Sequence, residues 1–161
     1  MRNAVAALVM ALALPSAWGT TYDYVGMPYS TQMGYLLNFT PPCTAGSCAS
    51  YTPVMQVTGH LTTAAPLPPG LVSLDITSLV TAFSFSDGVH TFSSTDAQLI
   101  KAKPFITNTD AAGNITSLSA VVGHWQSPVV PHAQGSRLDY VEIGGYNAGL
   151  GIHYDQGETN N

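Results

Sequence analysis

The chain has 161 residues, a formal net charge of −5 and only 8% charged residues, against roughly 25% in an average soluble domain. So few Lys and Arg leave no basic stripe to neutralise phosphates and no polybasic segment for anionic lipid, which excludes nucleic acid as a partner and charge-driven membrane binding. The 45% of hydrophobic residues suffice for one domain with a real core.

Residues 1–19 read as a secretory signal peptide. Arg2 supplies the positive start, Ala4 to Leu14 an apolar run, Pro15-Ser16 a break, and Ala17-Trp18-Gly19 small residues at the cleavage positions. The apolar run is too short to span a bilayer comfortably, and no later segment is long and apolar enough. The expectation is an exported protein whose residues 20–161 form one domain with no membrane span.

Thr21 to Val25 alternates with Tyr22 and Tyr24 on one face and suits an edge strand; Met33 to Phe39 is a second strand candidate, stopped by Pro41-Pro42. Cys43 and Cys48 lie five positions apart in a Pro/Gly/Ser-rich loop, and in an exported chain they are expected to form a disulfide. Val54 to Thr63 is a clearer strand, with Met55, Val57 and Leu61 on one face and Gln56, Thr58, His60 and Thr62 on the other. Gly59 interrupts the inward set, which predicts a bulge or a close backbone approach. Ala64 to Gly70 is a Pro-rich crossover, and Leu71 to Leu79 fits either a short strand or one helical turn.

Phe83 to Phe92 organises the middle of the chain. Two alternating runs meet at Asp87-Gly88, which predicts a two-residue type I′ turn pairing Ser86 with Val89, Phe85 with His90 and Phe83 with Phe92. Phe83, Phe85, His90 and Phe92 then share the inward face. Strands are expected over Ala97 to Lys103 and Phe105 to Thr109. The second of these turns through Asp110-Ala111-Ala112-Gly113-Asn114, with Gly113 left-handed, into Ile115 to Val122. A late strand runs from Arg137 to Ile143 with Val141 and Ile143 inward, a final short one falls within Gly144 to Gly157, and the end frays. With no sustained helical period after residue 19, the expectation is an all-β antiparallel sandwich, jelly-roll-like or Ig-like, with a barrel as the alternative.

The residues offer little chemistry. His60, His90, His124, His132 and His153 form no local metal-ligand pair. Alternation points His60 to solvent and His90 towards Phe85, so these two are not expected to converge. Asp87, three residues before His90, is accounted for by the turn. No G-x-S-x-G elbow occurs, most carboxylates fall at turns or edges, and the Asp110 loop lacks the oxygens of a calcium loop. No catalytic, cofactor or metal residues are assigned. Trp125, Tyr146 and Tyr154 are candidates for stacking on a sugar, and Asn38 and Asn114 begin N-x-T sequons.

Three blocks, Val57-Thr-Gly-His-Leu-Thr-Thr-Ala-Ala-Pro-Leu-Pro, Phe83-Ser-Phe-Ser-Asp-Gly-Val and Thr109-Asp-Ala-Ala-Gly-Asn-Ile-Thr, resemble a group of uncharacterised exported bacterial proteins, many of which carry a PEP-CTERM sorting tail. The resemblance implies a β-rich protein in the setting of the envelope and its exopolysaccharide, and implies no catalytic residues. Such tails consist of a Pro-Glu-Pro-like motif, an apolar helix and a basic cluster, none of which precedes Asn161, so it implies either release or a longer chain. The leading expectation is a non-enzymatic envelope or extracellular-matrix protein whose partners are polysaccharide or other envelope proteins. A carbohydrate-binding module is one alternative; a small secreted hydrolase, which requires a His–Asp or His–His cluster, is another.

Overall fold

The computed structural model describes residues 19–29, 51–132, 136–147 and 152–159. Residues 1–18 of the expected signal peptide, the Met33–Phe39 strand candidate, Asn38 and the Cys43–Cys48 pair lie outside the described residues.

Nine strands, and no α-helix among the described residues, form two antiparallel sheets: β1 (Thr20–Val25), β2 (Thr58–Thr63), β3 (Leu74–Asp75), β4 (Val80–Ser86), β5 (Thr91–Ser93), β6 (Leu99–Thr109), β7 (Ile115–Trp125), β8 (Leu138–Asn147) and β9 (Ile152–Thr159). The first sheet has the order β1-β2-β4-β5 and the second β3-β6-β7-β8-β9. They face each other as a sandwich and are not closed into a barrel.

The inward faces follow the alternation. Val57 and Leu61 from the β2 region, Phe83, Phe85 and Phe92 from the β4–β5 hairpin, Leu118, Ala120 and Val122 from β7, and Val141 and Ile143 from β8 are buried together. Phe105 of the second sheet bridges the layers, its ring centroid 5.3 Å from Phe83 and 6.3 Å from Phe85. Tyr22 and Tyr24 pack on the same core from β1. Gly59 is a close approach: a Cβ there would run into the Ser84 carbonyl oxygen and stand 2.7 Å from the Phe85 Cα. The crossover drops Leu67 into the core. Leu71 to Leu79 holds both candidate elements, the short β3 and then a turn closed by Leu79 N–H donating to the Ile76 carbonyl at 2.8 Å.

Three expectations need correction. The hairpin does not turn at Asp87-Gly88. Phe85 pairs with Phe92 and Ser86 with Thr91, and the Asp87 N–H donates to the His90 carbonyl at 3.2 Å, so the chain reverses at Gly88-Val89. Ser73 is the only described non-glycine with positive φ, whereas Gly88 has φ 96°; a type I′ turn would need a positive φ at Asp87 as well. The pairing is offset by two residues, an even number, so the inward set is preserved. Second, the strands expected on either side of Pro104 are one strand, β6. Its ladder with β7 shifts register between Lys101 and Lys103 and again between Lys103 and Ile106, which absorbs a proline that cannot donate to a ladder. Third, the final strand is longer than expected and includes Glu158 and Thr159.

Candidate functional site

At one end of the sandwich the apolar core gives way to a chain of ionisable side chains. It begins at the hairpin tip. Asp87 is fully buried, and its Oδ1 accepts the N–H groups of Val89 at 2.8 Å and His90 at 2.6 Å. These local bonds hold the reversal at Gly88-Val89. Two buried tyrosines grip the same residue: Tyr51 donates its hydroxyl to Asp87 Oδ2 at 2.7 Å and Tyr29 donates to the Asp87 carbonyl at 2.8 Å. The tyrosine rings meet edge to face at 5.9 Å. His90 Nδ1 lies 3.4 Å from Asp87 Oδ2.

The second sheet supplies the opposing groups. His124 and Asp139 form a rung of the β7–β8 ladder, in phase with inward Val122 and Val141. Asp139 Oδ2 is 3.3 Å from His124 Nε2 and 3.7 Å from His90 Nε2, while Asp139 Oδ1 accepts from Gln126 Nε2 at 2.8 Å. His124 Nδ1 reaches Asp96 Oδ2 at 2.8 Å, and Asp96 Oδ1 accepts the Gln98 N–H at 2.8 Å. The result is a continuous series, Asp87–His90–Asp139–His124–Asp96, that crosses between the sheets. The His90 and His124 ring centroids are 6.2 Å apart, and Phe92 lies 4.9 Å from His124 as an apolar floor.

Electrostatics match this geometry. Burial works against the charge of Asp87, yet the hydrogen bonds from His90, Tyr51 and Val89 outweigh it and hold the carboxyl below the usual range. His90 is raised above 6.5 by its bond to Asp87, against the opposing effect of burial, with Asp139 adding to the rise. Burial, followed by the neighbouring Asp87 charge, drives the Tyr51 phenol far up, so it stays a donor. Asp96 is also lowered: its partial burial is outweighed by the Gln98 amide and by His124. Among the described residues no group of three His, Cys, Asp or Glu is placed to hold a metal ion.

The outer face of the same strands carries a different feature, an open groove of about 290 Å³ lined by Ile100, Lys103, Val121, Gly123, Leu138, Tyr140 and Glu142. Its rungs are Ile100–Gly123–Tyr140 and Lys103–Val121–Glu142. The register shift after Lys101 brings Lys103 opposite Val121, onto the face of Ile100. Lys103 Nζ then reaches Glu142 Oε1 at 3.5 Å across Val121, which is buried beneath the pair. Gly123 keeps the floor low, since a Cβ there would come within 2.8 Å of the Asp139 carbonyl oxygen and 3.2 Å of the Tyr140 Cβ. The lining is mostly apolar with a few polar groups, and the volume of about 290 Å³ falls just below the roughly 300–1,000 Å³ of usual small-molecule sites.

The structure distributes the sequence-predicted stacking residues. Trp125 ends β7 opposite Leu138, next to the groove, with its ring stacked on His132 at 4.1 Å and 14°. Tyr146 and Tyr154 occupy adjacent rungs of the β8–β9 ladder. Tyr146 lies eight residues along β8 from Leu138, roughly 25 Å of backbone at the rise of a strand. His60 is exposed, as alternation requires. His90 and His124 converge, a pair that the sequence reading did not bring together, and Asp87 is more than a turn residue. One signal was readable: with Val141 and Ile143 inward, Asp139 shares their parity, as His124 shares that of Val122. A buried acid and a half-buried imidazole on inward faces need partners. Comparisons with family models, curated proteins and solved structures return no match.

Proposed function

We propose that this is an exported, non-enzymatic β-sandwich of the bacterial envelope or extracellular matrix that works by binding polysaccharide, with the groove on the outer face of β6, β7 and β8 as the sugar-binding surface. The observation that carries the reading is the composition of that groove. Tyr140 stands beside the open floor at Gly123, flanked by Ile100 and Leu138, with Lys103 and Glu142 at one side. A pyranose has apolar C–H faces and a hydroxyl rim; an aromatic side chain suits the first and a lysine–carboxylate pair the second. Trp125, adjoining on the same strand, extends the aromatic surface. A chain with only 8% charged residues suits a neutral, hydroxyl-rich ligand, and the resemblance to exported proteins of exopolysaccharide settings agrees with it.

The His–Asp series meets the first requirement of the hydrolase alternative but supports a non-catalytic role. Both ring nitrogens of His90 and of His124 face carboxylates, so neither imidazole is aimed to take a proton from a nucleophile. The test is retention of the full chain on a panel of polysaccharides, compared with Tyr140→Ala. Binding by the wild type, weakened about tenfold or more in the variant (~1.4 kcal/mol), supports the reading. Retention that is equal in the two proteins, or absent across the panel, overturns it.

A further inference from the structure

A neutral imidazole has one N–H. If His90 gives it to Asp87, its Nε2 presents a lone pair to Asp139 Oδ2 at 3.7 Å. A carboxylate only accepts hydrogen bonds; Asp139 Oδ1 accepts from Gln126 Nε2, and a carboxylate oxygen at Oδ2 has only a lone pair to set against that of His90. Neutral His90 therefore sets two acceptors against each other across the gap between the sheets. Charged His90 donates from Nδ1 to Asp87 on its own hairpin and faces Asp139 on β8 as an ion pair at 3.7 Å.

Every described ionisable group packed against His90 belongs to this series. Asp87 is on its own hairpin, Asp139 on β8 and His124 on β7; Asp96, in the β5–β6 connection, acts through His124, and Tyr51, before β2, acts through Asp87. The remaining close ring is Phe92, apolar, at 6.3 Å. Thr159, opposite Asp139 on β9, carries no charge. Three carboxylates therefore surround two imidazoles at the end of the sandwich.

We propose that this series is a proton-operated latch: protonated His90 ties the tip of the β4–β5 hairpin to β8, and loss of that proton releases the tip from the second sheet. The raised His90 value supports it. The stabilisation is complete below the ordinary value of 6.5 and is lost as pH climbs through the raised value. For a protein outside the cytoplasm, where pH is set by the surroundings, the sandwich end is shut in mildly acidic medium and loosened in alkaline medium.

The test is thermal unfolding of the full chain and of His90→Gln from pH 5 to pH 9, with the His90 ring followed by NMR. The expected result is a wild-type midpoint that falls as pH rises through the titration of His90. Glutamine at position 90 removes that part of the fall, and faster amide exchange at Val89 to Thr91 accompanies it in the wild type. In Asp139→Asn the His90 titration moves down towards 6.5. A structural role without proton control would destabilise the variants equally at all pH values. The proposal is overturned if His90 titrates at or below 6.5, or if the wild type and His90→Gln keep a constant separation across the range.

Discussion

Replacing Tyr51 by Phe removes one oxygen from the buried end of the sandwich and nothing else. The ring is almost fully buried, and Phe keeps its volume and its edge-to-face contact with Tyr29. What is lost is the 2.7 Å hydrogen bond to Asp87 Oδ2. That oxygen is left with His90 Nδ1 at 3.4 Å, while Oδ1 retains its two backbone donors. A hydrogen bond to a charged group contributes about 1.5–3 kcal/mol, so the variant should lose that much near neutral pH. For a domain of this size the melting point then falls by roughly 5–9 °C. The loss has a pH signature. Asp87 is lowered in the fold, so its contribution is full above the ordinary carboxylate value and lost as pH falls through the folded one. Without the Tyr51 donor the folded value rises, and the gap between wild type and variant narrows on acidification. Chemical denaturation at pH 7 and near pH 3 measures both effects. A difference below about 0.5 kcal/mol at pH 7, within the range of an ordinary surface substitution, or a gap equal at the two pH values, refutes the assignment of Tyr51 as a charge-stabilising donor.

Gly59→Ala should prevent folding or cost several kcal/mol, because its Cβ meets the Ser84 carbonyl and Phe85 backbone. Gly70→Ala, where no atom lies within 4 Å but φ is 70°, should cost only about 1 kcal/mol; expression and melting point separate the two. Phe85→Ala should destabilise by about 3–5 kcal/mol, since the ring is fully buried against Phe83, Phe105 and Tyr24; denaturant titration reads it. Lys103→Ala should shift stability by less than about 0.5 kcal/mol, since its ion pair with Glu142 is largely exposed on the lysine side, yet it should weaken polysaccharide retention if the groove is the binding surface.

The inward faces were legible because strand alternation is a local rule: once Leu61, Phe83 and Val141 are placed, their i±2 neighbours follow. The Asp110–Asn114 turn was legible for a similar reason. Asp110 caps the Ala112 and Asn114 N–H groups within its own loop, and Gly113 takes the positive φ. The Asp87 turn used the same grammar and came out displaced by one residue, with Asp87 Oδ1 accepting the Val89 and His90 N–H groups around the reversal at Gly88-Val89. The Asp87 carboxylate and carbonyl are held as well by Tyr51 and Tyr29, 36 and 58 residues away, partners that a local motif does not contain. Pro104 misled in the same manner. It breaks an isolated strand, but β7 alongside supplies enough ladder bonds for β6 to pass through with two register shifts.

By itself the sequence determined the all-β class, the alternation, the inward aromatic set and the low charge. These are properties of spacing and composition. Only the tertiary structure decided that His90, His124, Asp87, Asp96 and Asp139 form one series and that Lys103 meets Glu142 over a floor kept low by Gly123. Each pairing joins residues from different strands or connections, across a ladder or across the two sheets. Which acid meets which imidazole depends on register and sheet order, and those are set by packing of the whole core.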